Sequence, residues 1–105
     1  MKAGRLGVGE MSVEKALANG STHLVIIASD ASANTLRKFV NKCHYYNIPM
    51  LVGFDRETIS KSIGRQNRTS IAVMDHGFAK RMMELADNDT TVERYGWFDE
   101  QNPHI

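Results

Sequence analysis

The chain has 105 residues, of which 42% are hydrophobic and 24% are charged, and this composition is typical of one globular domain rather than a disordered chain. It contains no apolar run near the roughly 20 residues that span a bilayer and no apolar core of a signal peptide, so we expect a cytoplasmic protein with no membrane partner. The single cysteine excludes an internal disulfide, and the four scattered histidines have no paired metal-ligand spacing, so we predict no metal site.

The formal net charge of +1 conceals an uneven distribution along the chain. Residues 1–86 carry 12 basic and 7 acidic side chains, whereas residues 87–105 carry five acidic side chains and one basic one. The basic surplus fits either a polyanionic partner or an ordinary solvated surface. We therefore divide the chain into a domain of residues 1–86 and an acidic C-terminal tail of residues 87–105. The tail shows no sustained hydrophobic period, which predicts a flexible segment.

The first predicted elements are a helix and a strand. Residues 10–19 place Val13, Ala16 and Leu17 on one face at helical spacing, and Gly20 can end this helix. The continuous aliphatic run of residues 23–28 is typical of a strand that is covered on both faces.

The same alternation continues to residue 86. Ser32 is predicted to cap a second helix, whose apolar stripe consists of Leu36, Phe39, Val40 and Cys43. Further strands are predicted at residues 49–54 and 70–75, and further helices at residues 55–64 and 76–86. Strands separated by helices predict an α/β fold with a mostly parallel or mixed sheet between layers of helices.

Three features of the sequence could indicate catalysis. The glycine-rich stretch GRLGVG, residues 4–9, follows no predicted strand, so it lacks the context of a dinucleotide-binding loop. Asp30 ends a strand, where a phosphoacceptor aspartate could lie, but the second acid pair and the lysine that such a site needs are not evident. We therefore favour the alternative that its side chain bonds the backbone amides of the turn. Cys43 lies on an apolar stripe without an assignable histidine base, which predicts a core residue. We therefore predict that the protein is not an enzyme and needs no cofactor.

Five blocks of sequence, taken in order, resemble the L-seven-Ae family of ribosomal and kink-turn RNA-binding proteins, and most closely its bacterial YlxQ-type members. The blocks are AGRLGVGE, KALANGSTHLVIIASDASANT, KCHYYNIPM, ISKSIGR and VMDHGFAKRM, which extend from residue 3 to about residue 86. The resemblance implies a three-layer α/β/α sandwich around a small mixed β-sheet. It also implies binding of a sharply bent internal loop of RNA by the N-terminus of the first helix and the adjacent loops.

The physical chemistry of such a site is consistent with this implication. A helix N-terminus offers unpaired amides and a partial positive charge to phosphate. Specific recognition of RNA usually targets unstacked bases rather than the regular A-form groove.

The resemblance also implies roles for individual residues of the first helix. Gly9 matches a family glycine that lets the backbone approach RNA closely, and Lys15 matches a helix lysine that contacts phosphate or a guanine edge. Between them, Met11 and Ser12 stand where the family has an asparagine–glutamate pair that reads tandem sheared G·A base pairs. Methionine donates no hydrogen bond and serine offers one short hydroxyl, so base readout is expected to be weak.

The resemblance also implies that the loops beside the first helix enclose a flipped-out base. Ser32 falls where some relatives have an acid near the flipped-out base, and Arg56 falls where they have a lysine. The loop of residues 65–69 is expected to close over that base. The predicted RNA-binding residues are Gly9, Glu10, Met11, Ser12, Lys15, Asp30, Ser32, Arg56, Arg65, Gln66, Asn67 and Arg68.

Two functions therefore stand after the sequence has been read. One is a non-catalytic RNA-binding protein, ribosome-associated or kink-turn-binding; the other is a protein-interaction adaptor of the same fold that binds no RNA. The tail, with Tyr95, Trp97 and Phe98, resembles a docking peptide for a ribosomal or other protein partner. It is expected either to compete with RNA for the basic face or to pack its aromatic side chains onto the sandwich.

Overall fold

The computed structural model describes residues 6–54, 68–88 and 91–95. In chain order, the described elements are β1 (Leu6–Val8), α1 (Glu10–Ala18), β2 (Leu24–Ile27), α2 (Ala33–Tyr46), β3 (Met50–Val52), β4 (Ser70–Val73), α3 (His76–Asp87) and β5 (Glu93–Tyr95). Three of the predicted helices and all three predicted strands are thereby confirmed. The helix predicted at residues 55–64 lies outside the described residues. No helix in the described ranges is long and apolar enough to cross a membrane.

The five strands form one mixed sheet in the order β1-β4-β2-β3-β5. The central strands β2 and β3 are parallel, with Val25 opposite Met50. The remaining pairs are antiparallel, namely β1 with β4, β2 with β4 and β3 with β5. All four residues of β2 are buried, as expected for a continuous aliphatic strand with covered faces.

Helices cover both faces of this sheet. On one face, Val13 and Leu17 of α1 and Phe39 of α2 pack with Val25 and Ile27 of β2. On the other face, α3 contributes Ala79 and Ala86, which pack with the alternate β2 residues Leu24 and Ile26. Because successive side chains of a strand point to opposite faces, β2 joins two hydrophobic cores. The result is the predicted three-layer α/β/α sandwich.

The N-terminal part of α2 is built as its sequence predicts. The Ser32 side chain accepts a hydrogen bond from the Thr35 amide at 3.1 Å and so caps the helix. The helix ends at Asn47, which adopts the left-handed conformation with φ 60°. Local signals in the sequence are therefore sufficient to start and to end this helix.

The strand β1 was missed by the sequence reading. It lies inside the glycine-rich stretch GRLGVG, and Leu6 pairs with Val73 across the antiparallel ladder. A three-residue strand containing a glycine has too few side chains to show a period of two. Its partner β4 lies more than 60 residues away in the chain, so its pairing is a tertiary effect.

The predicted boundary between residues 86 and 87 lies within the folded part of the chain. The helix α3 ends at Asp87, and β5 belongs to the sheet as the antiparallel neighbour of β3. Val92 is buried among the side chains beneath α3, and Arg94 forms an ion pair with Asp87. Burial, followed by the nearby Glu93 carboxylate, raises the pKa of the Tyr95 hydroxyl. The segment is polar, as edge strands commonly are, so it shows no hydrophobic period in the sequence. Residues 96–105 lie outside the described residues, and their flexibility stays a prediction.

Candidate nucleic-acid interface

The carboxyl ends of β1, β2 and β3 lie at the same end of the sheet as the amino end of β4. Hydrogen bonds join the loops there: the Gly9 amide donates to the Ser70 carbonyl at 2.9 Å, and the Ala28 amide donates to the Thr69 carbonyl at 2.8 Å. We call this end of the sheet the site edge; it comprises Gly9, residues 28–32, residues 53–54 and residues 68–69. The start of α1, the connection from β2 to α2 and the described end of the loop before β4 therefore meet at one edge of the sheet.

The N-terminus of α1 opens onto the site edge without a side-chain cap. Ser32 and Asp75 cap the other two described helices through their side-chain oxygens, but the residue before α1 is Gly9, which has no side chain. Gly9 has φ 98° and ψ 161°, a conformation that strains any residue with a Cβ. Gly9 offers these first-turn amides no side-chain oxygen, so an external acceptor can bind them, and the helix dipole favours an anion there.

The exposed face of α1 carries three of the predicted binding residues. Met11, Ser12 and Lys15 are all exposed, and Met11 is 83% accessible to solvent. Residues three and four apart are neighbours on a helix, so Lys15 lies one turn beyond both Met11 and Ser12. The side chains of Val13, Ala16 and Leu17 are buried and fix this orientation. The structure thus brings an apolar, a hydroxyl and a cationic side chain together beside the open helix terminus.

A second cation lies beside Gly9. A Cβ built on Gly9 would be 3.9 Å from Nη1 of Arg68, so the exposed guanidinium group stands next to the start of α1. Neither Arg68 nor Lys15 is paired with an acidic side chain within residues 6–54, 68–88 and 91–95. The helix terminus and these two cations together form a surface suited to phosphate.

Glu10, which was predicted to bind RNA, is held by α2. Its carboxylate accepts hydrogen bonds from Lys38 Nζ at 2.6 Å and from the Thr35 hydroxyl at 3.0 Å. The hydrogen bond from Lys38 lowers the pKa of Glu10 against the opposing effect of burial. Hydrogen bonds to Glu10 and then to Glu14 raise the pKa of Lys38, whose Nζ lies 2.9 Å from the Glu14 carboxylate. This ion-pair cluster links α1 to α2, and Lys38 offsets negative charge that would repel phosphate.

The sequence reading missed Lys38 and Thr35 as supports of the site. They lie 28 and 25 residues from Glu10, so no local spacing connects them to it. Their contacts follow from the packing of α2 beside α1 on one face of the sheet. The role indicated for Glu10 is to position the first turn of α1.

The remaining predicted residues fall into two groups. Asp30 and Ser32 are exposed in the connection from β2 to α2, and the Ser32 hydroxyl caps that helix while also donating to Thr35 Oγ1 at 3.0 Å. The predicted residues Arg56, Arg65, Gln66 and Asn67 lie outside the described residues, so their place relative to the site edge stays a prediction.

Cys43 is a core residue, as its position on the apolar stripe of α2 predicts. Its side chain is fully buried against α1 and the sheet, and burial raises the pKa of its thiol to about 12. A neutral, inaccessible thiol cannot act as a nucleophile.

Comparison with known proteins gives consistent matches over most of the chain. Residues 1–83 match the family described as "Ribosomal protein L7Ae/L30e/S12e/Gadd45 family". The chain is 37% identical over 86 residues to "RNA-binding protein YlxQ" of Bacillus subtilis (strain 168), a match that covers 82% of this chain and 86% of that protein. It is 34% identical over 87 residues to "RNA-binding protein YlxQ" of Enterococcus faecium, which covers 83% of this chain and 84% of that protein.

A solved structure shows the same architecture. The structure of a protein of unknown function from Bacillus halodurans C is similar to this chain with a TM-score of 0.77 and 40% sequence identity. The match covers 81% of this chain and 86% of that one. The fold of this chain therefore matches that of a solved structure.

Proposed function

Because the chain belongs to the ribosomal protein L7Ae/L30e/S12e/Gadd45 family, we propose that it is a non-catalytic RNA-binding protein of the cytoplasm. The observation that carries the proposal is the uncapped start of α1 at Gly9, flanked by the Arg68 guanidinium group. The names of the two bacterial relatives, each at least 34% identical, support RNA as the partner.

We propose further that the RNA is a sharply bent internal loop of the kink-turn type, either free or within ribosomal RNA. A bend of this kind brings phosphates close together and opens the groove, so that a helix terminus can enter it. In this arrangement the first-turn amides of α1 donate hydrogen bonds to a phosphate, Lys15 and Arg68 contact neighbouring phosphates, and Met11 lies against the base edges.

Binding to a kink-turn RNA is expected to depend steeply on salt. With Met11 and Ser12 in place of base-reading side chains, phosphate contacts supply most of the affinity. Each neutralised phosphate contributes about −0.7 to −0.9 to the slope of log affinity against log salt concentration. Three such contacts would give a slope near −2 to −3 by this rule. Fluorescence anisotropy of a labelled kink-turn RNA between low and moderate salt measures it. A tight complex that is insensitive to salt would contradict the proposal, and absence of binding would favour the adaptor function.

The double substitution Met11→Asn with Ser12→Glu is expected to add discrimination for tandem G·A pairs. Both positions are exposed, so the new amide and carboxylate side chains can be introduced without disturbing the core. Each good polar contact to a base edge is worth about 1 to 3 kcal/mol of discrimination, by analogy with bidentate contacts in DNA.

The measurement is the ratio of affinities for a kink-turn RNA and for the same RNA with Watson–Crick pairs replacing the G·A pairs. This ratio removes the general repulsion between the added carboxylate and phosphate. A ratio equal to that of the unmodified protein would mean that α1 does not meet the base pairs.

A further inference from the structure

The helix α2 is rich in cations and carries no acid. Residues 33–46 contain Arg37, Lys38 and Lys42 but no aspartate or glutamate. Lys38 is engaged by Glu10 and Glu14 on the side of α2 that meets α1. Arg37 is exposed, with Nη1 3.4 Å from the Asn34 side-chain oxygen, and neither it nor Lys42 has an acidic partner in the described part of the chain.

The outward face of α2 is a continuous polar track that begins at the site edge. Asn34, Arg37, Asn41 and Tyr45 are exposed and follow one another at intervals of three or four residues. They lie opposite the buried Phe39 and Cys43. From Asn34 to Tyr45 the helix rises about 16 Å, so the track leads from the site edge toward the opposite end of the sheet. We call these four residues the α2 track.

The α2 track ends in an exposed aromatic ring. Tyr45 is 82% accessible to solvent, and its ring stands at 90° to that of Tyr46 with 4.9 Å between their centroids. In a T-shaped pair the edge of one ring points at a face of the other ring, so at most one face of one ring is covered. Tyr45 therefore keeps at least one ring face that Tyr46 does not cover, while the contact with Tyr46 restrains its orientation.

We propose that the α2 track is a second RNA-contacting surface, on which Arg37 contacts phosphate and Tyr45 stacks with an unpaired base flanking the bent loop. The inference rests on the proposed function and extends its RNA footprint beyond the site edge. A cationic, acid-free surface that ends in an aromatic ring is the chemistry that holds single-stranded nucleic acid. A protein partner is a poorer match, because the other three residues of the track are polar.

The test compares an unextended kink-turn RNA with four extended versions, each of which carries a single-stranded extension of about eight nucleotides on a different strand end of the two stems. We expect the full chain to bind at least one extended RNA more tightly than the unextended RNA. Tyr45→Ala is expected to lower affinity for that extended RNA roughly tenfold and to leave the unextended RNA unchanged. Tyr45→Phe, which keeps the ring, retains the affinity. Arg37→Gln is expected to make the slope of log affinity against log salt concentration shallower for the extended RNA, by the contribution of about one phosphate contact.

Matched controls lie on α3, which covers the other face of the sheet. Leu85→Ala removes another exposed apolar side chain, 57% accessible, and Arg81→Gln removes another exposed arginine; neither is expected to change binding. If the full chain binds the unextended RNA and Tyr45→Ala affects all RNAs equally or not at all, the inference is overturned while the proposed function stands. If the full chain binds none of these RNAs, the proposed function fails and the inference fails with it. If Tyr45→Ala instead abolishes capture of a protein while RNA binding is unchanged, the surface is a protein interface and the inference is wrong.

Discussion

A variant that ends at residue 88 is expected to be less stable than the full chain by several kcal/mol, whereas a variant that ends at residue 95 keeps its stability. The shorter variant lacks β5, which pairs with β3 and completes both cores. Val92 is buried with the residues under α3, and Tyr95 packs against the core under α1 and α2. Loss of a buried valine costs about 1.5 to 3 kcal/mol, and each lost ladder hydrogen bond adds roughly 1 kcal/mol.

Urea unfolding followed by far-UV circular dichroism measures both variants. Tryptophan fluorescence is unsuitable because Trp97, the single tryptophan of the chain, is absent from both. Equal stability of all three proteins would show that the strand β5 does not contribute to folding. A loss that appears already in the variant ending at residue 95 would place Trp97 and Phe98 in the core.

A point substitution tests the same contact without shortening the chain. A Cβ on Gly53 would lie 2.6 Å from Cα of Val92, so Gly53→Ala must push the segment before β5 away from the sheet. Gly77 is the matched control, because a Cβ there meets only Asp75 Oδ2, at 3.7 Å. Gly77 lies in α3, where alanine is favoured over glycine by about 0.5 to 1 kcal/mol. We expect Gly53→Ala to destabilise the protein and Gly77→Ala to be neutral or stabilising.

The elements that the sequence predicted are those whose causes are local. Ser32 indicates the start of α2 because its side chain can accept a hydrogen bond from the Thr35 amide. The strand β2 is recognisable from the sequence because all of its residues are aliphatic, and all of them are buried. The strands β1 and β5 were missed because each has three residues and depends on a partner that is distant in the chain. A short edge strand gains its stability from the ladder, and its own side chains carry little of the signal.

The candidate site divides in the same way. The common edge of the loops follows from strands that alternate with helices, and the residues of α1 follow from the family resemblance. The hydrogen bonds from Lys38 to Glu10 and the position of Arg68 beside Gly9 depend on packing between separate elements. These contacts decide the charge at the site edge, and only the folded arrangement reveals them.

Replacement of Lys15 by alanine is expected to weaken RNA binding by roughly 1 to 3 kcal/mol, which is the usual worth of a charge-assisted contact to phosphate or to a base edge. Lys15 is exposed on α1, one turn beyond Met11, and has no acidic partner within the described residues. Its charge is therefore available to RNA, and its removal leaves no buried group unpaired. Alanine also favours the helix, so folding is expected to be unchanged.

Lys80→Ala on α3 is the control, because it removes another exposed lysine from the face of the sheet away from α1. Affinity for a kink-turn RNA and the midpoint of urea unfolding are measured for both variants and for the unmodified chain. The proposed site predicts that Lys15→Ala alone loses affinity and that its salt slope is shallower by about one contact, because one phosphate fewer is neutralised. If Lys15→Ala is folded and binds like the unmodified chain, Lys15 is not part of the interface. Equal losses in the two variants would mean that general positive charge, rather than the open end of α1, attracts the RNA.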